Sequence, residues 1–117
     1  MLGADRLARG DLVTVAGGGG EFGGKPRPAI ILQSPLLFGS TVPLPICPVT
    51  SLPVENAPLL RIPLADGATT GLQAPSWAAI DLVQTIRQRR IGERIGNVNG
   101  ETMLAIDRAL MVFLGLA

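Results

Sequence analysis

The stretch Lys25-Pro26-Arg27-Pro28-Ala29-Ile30-Ile31-Leu32 limits the possible folds more than any other part of this chain. Each proline fixes its own φ and pushes the residue before it toward extended geometry, so Lys25 and Arg27 cannot open a helix. The isoleucines that follow favour a strand. A permanently charged guanidinium therefore stands at the mouth of a sheet, and the rest of the sequence has to explain what it is for.

Strand signals recur on both sides. Leu12-Val13-Thr14-Val15 reads as a first strand and Ala29 to Gln33 as a second, ended by Ser34-Pro35. A third runs from Val42 to Val49. Its prolines Pro43, Pro45 and Pro48 predict an edge or bulged strand, with the paired hydroxyls of Thr50 and Ser51 at its end. Leu59 to Leu64, Pro75 to Ile86 and Ile95 to Val98 read as further strands. Asn99 or Gly100 caps a closing helix with Glu101 in its first turn. Met103, Ile106, Leu110 and Phe113 form its packing face, and Gly115 provides the stop. The fold class expected is mainly β with a C-terminal α-helix, a small, partly closed β-barrel of SH3-like type forming one domain over residues 1–117.

Between the first two strands lies Gly17-Gly18-Gly19-Gly20-Glu21-Phe22-Gly23-Gly24. Gly19 to Lys25 has the spacing of a phosphate-binding G-x-x-x-x-G-K loop. However, Pro26 replaces the magnesium-binding Ser or Thr, and a strand follows where that motif needs a helix. A connecting loop is the better reading, with a carboxylate and an aromatic near Arg27.

No histidine occurs among the 117 residues, which removes the commonest general base and the commonest zinc ligand. One cysteine, Cys47 between Ile46 and Pro48, forms no internal disulfide and reads as a buried strand thiol. Any enzyme's proton transfers and charge stabilisation must come from carboxylates, arginines, lysines or hydroxyls. Arg27 and Thr50 stand at ends of expected strands, and if those strands are neighbours they converge on a phosphate-sized anion. Arg87, Arg89, Arg90 and Arg94 fall within eight residues of a chain whose net charge is only +1. That run is either part of a nucleic-acid groove or a solvated turn. Trp77 is either a stacking platform for a base or a core residue.

Hydrophobic residues make up 47% of the chain and mean hydropathy is +0.40. So much apolar surface on a small domain predicts a homodimer. No apolar run is long enough to cross a bilayer and Met1 to Gly10 lacks a signal-peptide core, so a cytoplasmic location is expected.

Five short stretches in order resemble the MazF/PemK toxins of type II toxin-antitoxin pairs. They are Arg9-Gly10-Asp11, Glu21-Phe22-Gly23-Gly24, Arg27-Pro28-Ala29, Pro48-Val49-Thr50-Ser51 and Asp107-Arg108-Ala109-Leu110. The resemblance implies a CcdB/PemK-like barrel dimer. It also implies a metal-independent endoribonuclease that cuts single-stranded RNA, whether messenger, ribosomal or transfer, at short sequences. A MazE-like antitoxin would silence it. The family's catalytic arginine and threonine map onto Arg27 and Thr50, and its loop carboxylate onto Glu21. Phe22, Lys25, Ser51 and Asp81 are the further candidates for RNA contact. Phe22 after the glutamate and Leu82 after Asp81 depart from the family pattern. Two other readings use the same fold: a CcdB-like protein that poisons DNA gyrase by contact, and an inactive homologue acting as an interaction module.

Overall fold

A computed structural model describes residues 7–17, 25–37 and 43–117. Seven strands are present: β1 (Asp11–Val15), β2 (Arg27–Ile31), β3 (Leu44–Thr50), β4 (Arg61–Leu64), β5 (Ser76–Ala79), β6 (Gln84–Ile86) and β7 (Ile91–Asn97). They pair antiparallel in the order β4-β5-β3-β2-β1-β7, with β6 also on β3. The outer strands β4 and β7 do not meet, so the sheet curls without closing. One helix, α1 (Gly100–Phe113), packs over β4 and the 3-10 turns at Pro58–Leu60 and Ile80–Leu82. Among the described residues no helix is long and apolar enough to cross a membrane.

The central strands are buried on both faces. Leu12, Ile30 and Cys47 point into a core shared with Met103, Ile106 and Ala109 of the helix. Their neighbours Val13, Val15, Ala29, Ile31, Leu44 and Ile46 point the other way, into a second core closed by Ile86 and Ile91. Strands covered on both sides need no polar face, which is why these segments read as continuous apolar runs. A wholly buried isoleucine such as Ile30 contributes about 1.5–3 kcal/mol of transfer free energy.

Several expectations are corrected. The proline-bearing third strand is central, pairing with β2 on one side and with β6 and β5 on the other. It tolerates its prolines because β6 pairs Leu44 to Ile46 and β5 pairs Val49 and Thr50. Pro48 falls at the gap, where its missing N–H is not required on that side. Pro45 still supplies its carbonyl to the Leu32 N–H at 3.0 Å. The second strand starts at Arg27, earlier than Ala29, and ends at Ile31. The expected single strand from Pro75 to Ile86 is two, broken by the 3-10 turn at Ile80–Leu82. Leu59 and Leu60 belong to a 3-10 turn; β7 starts at Ile91, earlier than Ile95, and takes in Arg94, while Arg89 and Arg90 lie in the 3-10 turn before it.

The helix follows its signals closely. The Asn99 side chain accepts the Thr102 N–H at 2.8 Å, and Gly115 sits at φ +76°. The Gly115 and Leu116 N–H groups reach back to the Val112 and Met111 carbonyls, as a left-handed glycine cap requires. Phe113 departs from expectation: it is 44% exposed, because the buried face ends at Ala109 and Leu110.

Arg9-Gly10-Asp11 is a structural staple. Arg9 donates to the Leu32 carbonyl and forks onto Asp107 of α1 at 2.6 and 3.2 Å. Gly10, at φ +93°, joins the Ile31 carbonyl and the Val98 N–H, and a Cβ there would meet Met103 Cγ at 3.3 Å. The buried Asp11 carboxylate accepts the Ala8 N–H at 2.7 Å and is ion-paired with Arg94, whose Nε lies 3.0 Å from Oδ1.

Candidate active site

Ala29, Ile30 and Ile31 of β2 stand opposite Pro48, Cys47 and Ile46 of β3. That pairing ends at Ala29 and Pro48; Arg27, the first residue of β2, and Thr50, the last of β3, each lie two residues beyond it. Alternation puts Arg27 on the face of Ala29 and Ile31, and Thr50 on the face of Leu44 and Ile46. Those four line one core, so Arg27 and Thr50 share a face at its rim.

The row extends further. Val15 is opposite Arg27 in β1, Trp77 is opposite Thr50 in β5, and Pro63 is opposite Trp77 in β4. Directly opposed side chains have Cβ atoms about 5 Å apart, so the Thr50 hydroxyl and the Trp77 indole are neighbours, with Arg27 beside Val15 on the same face. Arg27 is exposed, while Thr50 and Trp77 are half-buried. The proline-fixed extension around Arg27 is now part of the ladder, since Pro28 pairs with Thr14.

The Thr50 hydroxyl is already half-committed. Its Oγ1 accepts the Leu52 N–H at 3.1 Å, which occupies a lone pair and leaves the O–H proton to donate elsewhere. A guanidinium fork and a hydroxyl donor on one face can bind a phosphate by charge-assisted hydrogen bonds.

The other expected residues are placed unevenly. Lys25 and Ser51 are exposed and flank Arg27 and Thr50 in the chain. Glu21 and Phe22 lie outside the described residues. Asp81 sits in the 3-10 turn after β5, its carboxylate ion-paired with Arg61. Of the arginine run, Arg90 donates through Nε and Nη2 to the Ala16 carbonyl at 3.0 and 2.9 Å, and Arg94 pairs with Asp11. These two brace β1; Arg87 and Arg89 remain exposed.

Cys47 faces the helix-side core and is wholly buried. Burial pushes its thiol up to about 12, against the smaller downward pulls of a backbone hydrogen bond with Ala79 and of Arg61. It stays protonated and is no nucleophile.

Arg61 carried no signal in the sequence. Its partner Asp81 lies 20 residues away, and the contact exists only because β4 pairs with β5. Trp77 was visible as an aromatic, but its place beside Thr50 depends on the β3–β5 register.

Residues 8–114 match the family described as PemK-like, MazF-like toxin of type II toxin-antitoxin system. The chain is 39% identical over 111 residues to a probable endoribonuclease MazF of Mycolicibacterium smegmatis, covering 95% of this chain and 99% of that one. Its fold resembles the Mycobacterium tuberculosis toxin MazF-mt6 (TM-score 0.75, 21% identity, 92% of this chain and 98% of that one). It also resembles a mycobacterial endoribonuclease in complex with its cognate antitoxin (TM-score 0.77, 20% identity, 95% and 97% covered). With this match over nearly its whole length, and with a fold similar to those structures, the chain belongs to the PemK-like, MazF-like toxins of type II toxin-antitoxin systems.

Proposed function

We propose that this toxin is an endoribonuclease that cleaves single-stranded RNA by activating the RNA's own 2′-hydroxyl. The observation that carries the proposal is the antiparallel pairing of β2 with β3, whose register, continued two residues beyond Ala29 and Pro48, would bring Arg27 and Thr50 together. The 2′-oxygen attacks the adjacent phosphorus and gives up its proton. The bond to the 5′-oxygen breaks, that oxygen takes a proton, and the products are a 2′,3′-cyclic phosphate and a 5′-hydroxyl. The reaction needs alignment and charge stabilisation more than a strong protein nucleophile.

Arg27 neutralises charge building on the non-bridging oxygens, and the Thr50 hydroxyl donates to the same phosphate. Arginine keeps its proton at any ordinary pH, so its role is electrostatic. Trp77 stacks on a base beside that phosphate, with Lys25 and Ser51 on the backbone and Glu21 and Phe22 contributing from the loop before β2. Asp81 is held in an ion pair by Arg61, which leaves it less free to contact a base.

The toxin works as a homodimer silenced by a MazE-like antitoxin. Support comes from the antitoxin-bound mycobacterial structure of the same fold and from the exposed apolar residues Leu104, Met111, Val112 and Phe113 on α1. The test is to incubate the purified toxin with a long single-stranded RNA in EDTA and map the ends. Cleavage at a repeated short sequence, leaving cyclic phosphate and 5′-hydroxyl ends, is expected. RNA left intact at high protein concentration contradicts the proposal and leaves gyrase poisoning as the reading to pursue.

A further inference from the structure

The geometry points to Arg61 and Asp81 as a buried brace that fixes the Thr50 hydroxyl through Leu52, making them positioning residues for cleavage. This rests on the reading that Thr50 holds the scissile phosphate.

Arg61 opens β4, yet its side chain is only 11% exposed. A guanidinium so covered is costly unless its N–H groups are satisfied. Three of its five are: Nη1 meets the Asp81 carboxylate and the Leu60 carbonyl at 2.8 Å, while Nε donates to the Leu52 carbonyl at 3.3 Å. One side chain thus ties together the start of β4, the turn after β5 and the turn after β3.

Leu52 is held at both ends. Arg61 has its carbonyl and Thr50 Oγ1 has its N–H. The segment Thr50-Ser51-Leu52 is otherwise exposed at Ser51 and Leu52, so little packing fixes it. With Leu52 anchored, its N–H determines which lone pair of the hydroxyl is taken and therefore where the O–H points. Asp81 keeps the fork in place and cancels its charge. Its low exposure and its ion pair with Asp81 argue against Arg61 as a direct phosphate ligand.

The test is a double-mutant cycle read by single-turnover cleavage at saturating RNA. Arg61→Met keeps the aliphatic stem and removes the fork; it should slow cleavage by about 10² in the wild-type background, as a small misplacement of a reacting group does. In a Thr50→Val background the same change should cost nothing further. Affinity for an RNA carrying a 2′-deoxy sugar at the cut should stay within about threefold, since the loss is in positioning and not in binding. Arg61→Lys, which keeps charge without a fork, should recover only part of the rate. Hydrogen exchange at the Leu52 amide should speed up while the Leu12 and Ile30 amides stay protected. Asp81→Asn, a gentler change, runs the same cycle should Arg61→Met fail to fold. Losses that multiply in the Thr50→Val background, or that appear as weaker RNA binding, overturn the brace alone. A wild-type protein that leaves RNA uncut removes the nuclease reading and the brace with it.

Discussion

Arg27→Ala is expected to lower single-turnover RNA cleavage by about 10³-fold with little change in stability, because it removes the positive charge proposed to stabilise the transition state. Arg27 is the exposed first residue of β2, so truncation opens no cavity and breaks no ladder bond deeper in the strand. Thermal midpoint and dimerisation should match wild type, as for surface substitutions whose effects stay within about 0.5 kcal/mol. Arg27→Lys should fall between the two, since a lysine supplies charge but not two parallel donors. A cleavage rate within a fewfold of wild type in Arg27→Ala would take the guanidinium out of the chemistry.

Thr50→Val is the second large effect expected, about 10²-fold in cleavage rate, the usual loss when one donor to a developing anion is removed. Valine matches the shape of threonine and suits a strand, so the β3–β5 pairing through Trp77 should persist. The loss should fall on rate at saturating RNA more than on affinity, because the hydroxyl proton is best used when charge accumulates on the phosphate. Leu52 loses an acceptor for its N–H at an exposed position where water replaces it, so stability should change little. Unchanged turnover in Thr50→Val would exclude the hydroxyl from the site.

Which parts of this molecule were legible in the sequence depends on how local their causes are. The closing helix was visible in Asn99, Glu101 and Gly115 because capping acts within one turn. Strands β1 and β2 were visible in their apolar runs. The third strand was misplaced to an edge because a proline's cost depends on which side of the strand its missing N–H faces. That is known only once β6 and β5 have divided the far side of β3. The break at Ile80–Leu82 was hidden for a similar reason: the residues are apolar enough for a strand, and packing against α1 favours a turn.

The same division runs through the polar residues. Arg27 and Thr50 were readable as strand-end groups, and the structure adds that their two strands are neighbours. The stretches that carry the family resemblance separate into two jobs. Arg9, Gly10, Asp11 and Asp107 join β1, β2, β7 and the helix, whereas Arg27 and Thr50 face the open rim. The arginine run was ambiguous because the roles of Arg90 and Arg94 depend on β7 lying along β1, a pairing 74 residues distant in the chain at Arg90. Arg61 and Asp81 had no sequence signal as a pair, since each reads alone as an ordinary charge on a strand.

The central claim is that the protein supplies charge and alignment while the RNA supplies the nucleophile. It is tested most directly by a substrate RNA in which the nucleotide 5′ to the cleaved phosphate carries a single 2′-deoxy sugar, assayed beside its all-ribose twin. The account predicts binding of both with similar affinity and cleavage of the all-ribose strand alone; cleavage of the deoxy-substituted strand at the same phosphate would contradict it.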